Sequence, residues 1–271
     1  MSTLNRELTD NGYAVVPAVM DIDEVDRIGR FVTDTLVATA GTRRLVELPW
    51  CRDLADCLMR NSRLCDSLPA HSLAIQCTLF IKSTEKNWLV SLHQDLSIPV
   101  GERVDSPLYS GWSEKERQLF VQPPVSFLER MLAIRVHLDD CDERNGALRV
   151  VPGSHTMGRL DSSAGLRARN DRGEVHVSVP RGGAMLMRPL LLHASSKILA
   201  NNSRRVLHFV FAPEIPPDGL RWSTADIDKR LLGAAKRCLT GGTPAAGAGP
   251  SKTGHWITRN QQLTPLIRGM Q

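Results

Sequence analysis

The spacing of apolar positions along this chain follows two different rhythms. Residues from Leu4 to Gly12 read as a short helix stopped by Asn11-Gly12, and Tyr13 to Val16 as a strand closed by Pro17. Asp21 or Asp23 then caps an amphipathic helix carrying Val25, Ile28, Phe31, Val32 and Leu36 at helical spacing. A second helical stretch covers Leu54 to Leu64 and ends near Leu68-Pro69.

From Leu73 the period shortens. The runs Ala74–Ile81, Trp88–Leu92, Ala133–Leu138, Ala147–Val151, Glu174–Val179, Ala184–Met187 and Arg205–Phe211 alternate or are wholly apolar, with Gly, Pro, Asn and Asp between them. Short strands punctuated this way predict an all-β core, a sandwich or barrel, with flanking helices in the N-terminal part. Val104 to Pro124 lacks strand periodicity and reads as a long loop, a lid or substrate-contacting segment, in which Tyr109 and Trp112 are lid contacts or loop anchors. Residues 239–271 begin with LTGGTPAAGAGPSKTG and predict a flexible Gly/Ala/Pro-rich C-terminal tail, leaving 1–238 as a single domain.

Composition narrows the class. Hydrophobic residues make up 42% and charged residues 23%, enough apolar material for a core and ordinary charge for a soluble globule. The net charge of +5 favours an anionic small-molecule substrate, but the longest basic clusters are pairs such as Arg43–Arg44 and Arg204–Arg205, so no nucleic-acid arm or membrane-surface helix is expected. The six cysteines are irregularly spaced, without a CxxC pair, which argues against a zinc framework or a disulfide scaffold and for packing residues. The N-terminus lacks the layout of a signal peptide and no apolar run is long enough to cross a bilayer, so a reduced, cytoplasmic protein is the expectation.

The candidate chemistry starts at WLVSLHQDLSIP. His93 and Asp95 are two residues apart, so on a strand they share a face, and Gln94 between them points away. One imidazole and one carboxylate are two thirds of a facial triad that leaves open positions on a non-haem iron. The third ligand is sought in GGAMLMRPLLLHASS, where a strand starting after Gly182-Gly183 would deliver His193 near its end, with Ser195 on the same face. Arg204, eleven residues after His193, opens the next strand, and an inward arginine there can grip a carboxylate such as that of 2-oxoglutarate through two hydrogen bonds. Arg205 would face the other way, as a solvated strand edge. His71, His176, His208 and His255 receive no role, and His155 is expected to cap a turn.

Together the LHQDLSIP strand, RNGALRVVPGSH (144–155), the RPLLLHASS…SRR block (188–205) and the N-terminal NGYAVVPAVMDIDEVDRI resemble the phytanoyl-CoA dioxygenase family of Fe(II)/2-oxoglutarate oxygenases. The resemblance implies a double-stranded β-helix (jelly-roll, cupin-like) barrel, with His93, Asp95 and His193 as catalytic iron ligands. It implies Arg204 as the 2-oxoglutarate clamp with Ser195 beside it, and O2 as the other co-substrate. Lys82 matches a position used near the co-substrate, its alternative being a surface lysine. Arg135 stands where some relatives carry Trp, and it and His137 belong either to the cavity or to a buried polar network. Because Asp95 is retained, oxygen insertion into a small molecule is expected, with conversion of 2-oxoglutarate to succinate and CO2. The alternatives are a metal-binding sensor without catalysis and a metal-dependent isomerase or hydrolase on the same fold.

Overall fold

The computed structural model describes residues 1–35, 42–199, 203–217 and 219–223. Leu36 of the expected helix, the domain limit at 238 and the tail over 239–271 lie outside the described residues.

Helix α1 (Thr3–Asp10) leads into strand β1 (Tyr13–Val16) and helix α2 (Ile22–Thr35). The Asp21 carboxylate caps α2 by accepting from the Glu24 N–H at 2.8 Å. Helix α3 (Pro49–Arg60) starts and stops four or five residues before the stretch read from sequence, because Pro49 sets its first turn and the chain leaves the helix at Asn61. The strands β2 (Ser72–Lys82), β3 (Val90–His93), β4 (Ile98–Val100), β5 (Ser110–Lys115), β6 (Gln118–Gln122), β7 (Leu132–His137), β8 (Leu148–Val150), β9 (Val175–Val177), β10 (Ala184–Met187), β11 (His193–Ser195) and β12 (Arg204–Pro213) follow, with helices α4 (Val125–Leu128) and α5 (Ser162–Arg172) between them.

The strands pair antiparallel in a five-stranded sheet, β1-β10-β7-β12-β2, and a four-stranded sheet, β3-β11-β8-β9. This is the jelly-roll core, with the N-terminal helices a minor addition. Alternation sorts the side chains of the larger sheet. Cys77 and Leu79 of β2, Ile134 and Val136 of β7, and Leu207 and Phe209 of β12 pack outward against Leu8, Val25, Ile28, Leu54 and Leu58 of the helices. The intervening residues Thr78, Phe80 and Lys82, Ala133 and Arg135, and Arg204, His208 and Val210 line an internal cavity.

Two expectations from the sequence are corrected. The apolar run after Gly183 is not one strand reaching His193: β10 belongs to the five-stranded sheet and β11 to the four-stranded one, and the chain crosses between them over Arg188–Leu192. Apolar residues are needed throughout because the crossing is buried, from Leu190 at 1% to Leu192 at 3% exposure. Nor is Val104–Pro124 a long loop: β5 and β6 form a hairpin that β4 extends to a three-stranded sheet. Tyr109 and Trp112 stack edge to face at 6.4 Å within an apolar cluster, so both are anchors.

Candidate active site

The ligand candidates gather at neighbouring strands of the four-stranded sheet. β11 pairs with β3 so that His193 stands opposite His93, and their rings lie 4.2 Å apart between centroids. Asp95 follows β3, held by its N–H donating to the Pro189 carbonyl at 2.9 Å. Gln94 points the other way, as its place between them requires. Its amide donates to the carbonyls of Gly158 and Leu190 and accepts from the Leu160 N–H, bracing the strand end that carries the pair.

Each imidazole has a fixed orientation. Nδ1 of His93 lies 2.8 Å from the Ser91 carbonyl and Nδ1 of His193 lies 2.9 Å from the Leu191 carbonyl. A carbonyl only accepts, so both Nδ1 atoms carry the proton and both Nε2 lone pairs are free. His93 Nε2 is 3.8 Å from Asp95 Oδ1 and His193 Nε2 is 3.9 Å from Asp95 Oδ2, and one ligand atom from each residue falls within 4.8 Å of the others. Atoms each about 2.1 Å from a shared ion are at most about 4.2 Å apart; both imidazole–carboxylate distances fall inside that limit, and the widest spacing closes onto an ion with a shift of about 0.6 Å or less. Burial pushes the His193 pKa down to about 4, keeping its ring neutral and able to ligate. Burial also pushes Asp95 upward, but His193, His208, His93 and Arg135 together hold it below the usual carboxylate value.

The cavity beside these three residues has a volume of about 390 Å³. Its inner end is cationic. Lys82, Arg135 and Arg204 are 1%, 4% and 2% exposed, and Arg204 stands directly opposite Lys82 across the β12–β2 pairing. Lys82 Nζ donates to Ser195 Oγ and to the Ser196 carbonyl, both at 2.6 Å, while Ser195 Oγ donates to the Gly146 carbonyl at 2.9 Å. Lys82 is therefore not a surface lysine. The nearest polar contact of Arg204 is Cys141 Sγ at 3.4 Å, and the Nε atoms of Arg204 and Arg135 are buried without a hydrogen-bond partner. Burial, then the charges of Arg204 and Arg135, push the Lys82 pKa down to about 8. Burial and Arg204 push Arg135 down to about 10. Among the described residues that line the cavity, Asp95 is the sole carboxylate. Buried cations without counter-charges are costly to the ligand-free fold.

Arg205 faces away from the cavity as alternation requires, but on an interior strand, and pairs with both oxygens of Asp139 rather than standing at a solvated edge. His137 is buried on the Arg135 face, with neither ring nitrogen hydrogen-bonded. His155 reaches back to the Thr9 carbonyl at 3.2 Å instead of capping its own turn. His208, which the sequence reading left without a role, lines the cavity with Nε2 at 3.7 Å from Asp95 Oδ2 and Nδ1 at 3.0 Å from Arg135 Nη1. Alternation puts His208, four residues beyond Arg204, on the same strand face, but only the pairing of β12 with β7 brings it beside Arg135.

No match was found among curated protein sequences. Solved structures share the fold at low identity. EctD from S. alaskensis, in its apoform, superposes with a TM-score of 0.59 at 19% identity, over 79% of this chain and 78% of that one. The non-heme alpha ketoglutarate dependent epimerase SnoN from nogalamycin biosynthesis gives 0.58 at 16%, over 94% of each chain. The carbocyclase SnoK from the same biosynthesis gives 0.58 at 15%, over 88% of this chain and 90% of that one. The sequence pattern of the phytanoyl-CoA dioxygenase family matches residues 8–206, from α1 to the start of β12 and including every candidate ligand, and this chain belongs to that family.

Proposed function

We propose that this chain is an Fe(II)- and 2-oxoglutarate-dependent dioxygenase that hydroxylates an anionic small molecule. The observation that carries the reading is one cavity in which two imidazoles with free Nε2 atoms and one carboxylate converge beside three buried cations. His93, Asp95 and His193 would hold the iron, leaving positions open for two further ligands. Fe(II) bound there, with 2-oxoglutarate and O2, supplies the oxidant, while decarboxylation of the co-substrate yields succinate and CO2.

The chain's own residues bind and orient. Arg204 and Lys82, side by side at the inner end, suit the distal carboxylate of 2-oxoglutarate, Arg204 through two parallel N–H groups and Lys82 as a point charge. Ser195 fixes the Lys82 ammonium, and Gly146 accepts from Ser195, so the turn before β8 sets that cation's position. Phe80, Trp88 and Leu148 form apolar wall around the reacting region and limit water there.

The substrate class follows from charge. Fe(II) and the 2-oxoglutarate dianion cancel, leaving Lys82, Arg135 and Arg204 against Asp95 alone. That surplus of positive charge supports a substrate bearing a carboxylate or phosphate. A metal-only sensor, or an isomerase or hydrolase on this fold, would have no use for the buried Arg204–Lys82 pair.

The test is anaerobic loading with Fe(II), then exposure to O2 with 2-oxoglutarate and a panel of small carboxylates and phosphates. Substrate-stimulated succinate is expected, and it should be lost in Asp95→Ala. Absence of succinate across the panel, together with absence of 2-oxoglutarate binding, would contradict the proposal.

A further inference from the structure

Resting on the oxygenase reading, one more element of the site emerges from the β7–β12 register. Arg135 and His208 are directly opposed on these strands and both project into the cavity. Arg135 Nη1 lies 3.0 Å from His208 Nδ1. A guanidinium only donates, so His208 Nδ1 must offer its lone pair, and the single proton of the neutral ring sits on Nε2. That N–H is turned toward Asp95 Oδ2, 3.7 Å away. The separation exceeds a normal N–H···O bond by about 0.8 Å, a gap that a small turn of the carboxylate closes. Phe80 holds both partners, its ring 5.3 Å from the Arg135 guanidinium carbon and edge to face with His208 at 5.9 Å.

We propose that Arg135 and His208 are a positioning pair for the Asp95 carboxylate, Arg135 fixing the Nε2–H tautomer of His208 and that N–H engaging Oδ2. An oxygen already held by an N–H is a poorer second ligand, so the carboxylate takes one metal position and the others stay open for co-substrate and O2. Neither residue touches the metal in this scheme. They act through Asp95, as outer partners of ligating carboxylates do elsewhere.

Two measurements test the pair. The first is ring-nitrogen NMR of the metal-free protein, expected to give a bare Nδ1 and a protonated Nε2 for His208, with the tautomers mixing in Arg135→Met. A protonated Nδ1 in the unsubstituted protein would overturn the proposal. The second is Mn(II) affinity, read from the free ion by electron paramagnetic resonance. His208→Phe should weaken it by about 10- to 100-fold. His208→Gln, whose amide can accept from Arg135 and donate to Asp95, should restore it to within a few-fold. Unchanged affinity in folded His208→Phe, or no rescue by folded His208→Gln, would sink the pair. If the unsubstituted chain binds no divalent metal, the oxygenase reading itself fails, while the NMR result still decides whether Arg135 sets the tautomer.

Discussion

Lys82→Met separates the cost of the cationic cavity from its use. The ammonium is 1% exposed and its pKa falls from 10.5 to about 8, chiefly through burial. A shift of that size corresponds to roughly 3 kcal/mol of unfavourable charging in the ligand-free fold. Below pH 8 the lysine is charged both folded and unfolded, and the whole cost is present. Between pH 8 and 10.5 the unfolded chain keeps a proton that the folded chain has lost, so stability rises with pH. Methionine retains the apolar stem and removes the charge, but it leaves the Ser196 carbonyl without its 2.6 Å donor, a loss of about 1–3 kcal/mol. The metal-free variant should therefore be as stable as the parent at pH 7, or up to about 2 kcal/mol more stable, and should lose about 2 kcal/mol of that relative standing by pH 9.5. Urea unfolding of both proteins across this range measures the difference. Removing one cation from a buried carboxylate contact should also weaken 2-oxoglutarate binding to the metal-loaded variant at least about 30-fold. A stability difference that stays flat with pH, or unchanged co-substrate affinity, would refute the reasoning.

Three further substitutions probe the surrounding architecture. Arg204→Leu should raise the 2-oxoglutarate Kd by about 100- to 1000-fold while leaving Mn(II) binding without co-substrate nearly unchanged, and equal losses of both in titration calorimetry would contradict a clamp role. Arg205→Ala breaks the Asp139 pair on the opposite face and should cost no more than about 1 kcal/mol in urea unfolding with co-substrate affinity intact, whereas a large affinity loss would mean the face of β12 is misassigned. Gly146→Ala should lower stability by about 1–3 kcal/mol, because φ is +80° there and the added Cβ would meet the Ser196 carbonyl at 2.9 Å; an unmoved Tm would count against this geometry.

How much of this was legible in the sequence depended on what each segment packs against. β1 was read with its observed bounds, and β2, β7 and β12 to within one or two residues at each end, because they are regular strands closed by turn or polar residues. β5 was invisible since SGWSEK is mostly exposed and polar, and α5 since SSAGLRARNDR carries no apolar stripe and buries only Gly165 and Ala168. β10 and β11 merged into one run because burial on every side erases the period that would have marked the crossing. His93 and Asp95 stood out because their spacing is local, and His193 and Arg204 because one ends an apolar run and the other opens a strand eleven residues later. The roles of Arg135 and His208 depend on inter-strand register, and nothing in the local pattern places His208 beside Asp95.

The central claim is that His93, Asp95 and His193 form one metal site that shares its cavity with the Arg204–Lys82 carboxylate site. Anaerobic titration of Fe(II), with and without 2-oxoglutarate, followed by calorimetry and visible absorption, tests it directly. The account predicts one Fe(II) per chain, a visible charge-transfer band only when 2-oxoglutarate is also present, and loss of both in His193→Ala. Full iron binding in that variant, or 2-oxoglutarate binding that produces no band, would contradict it.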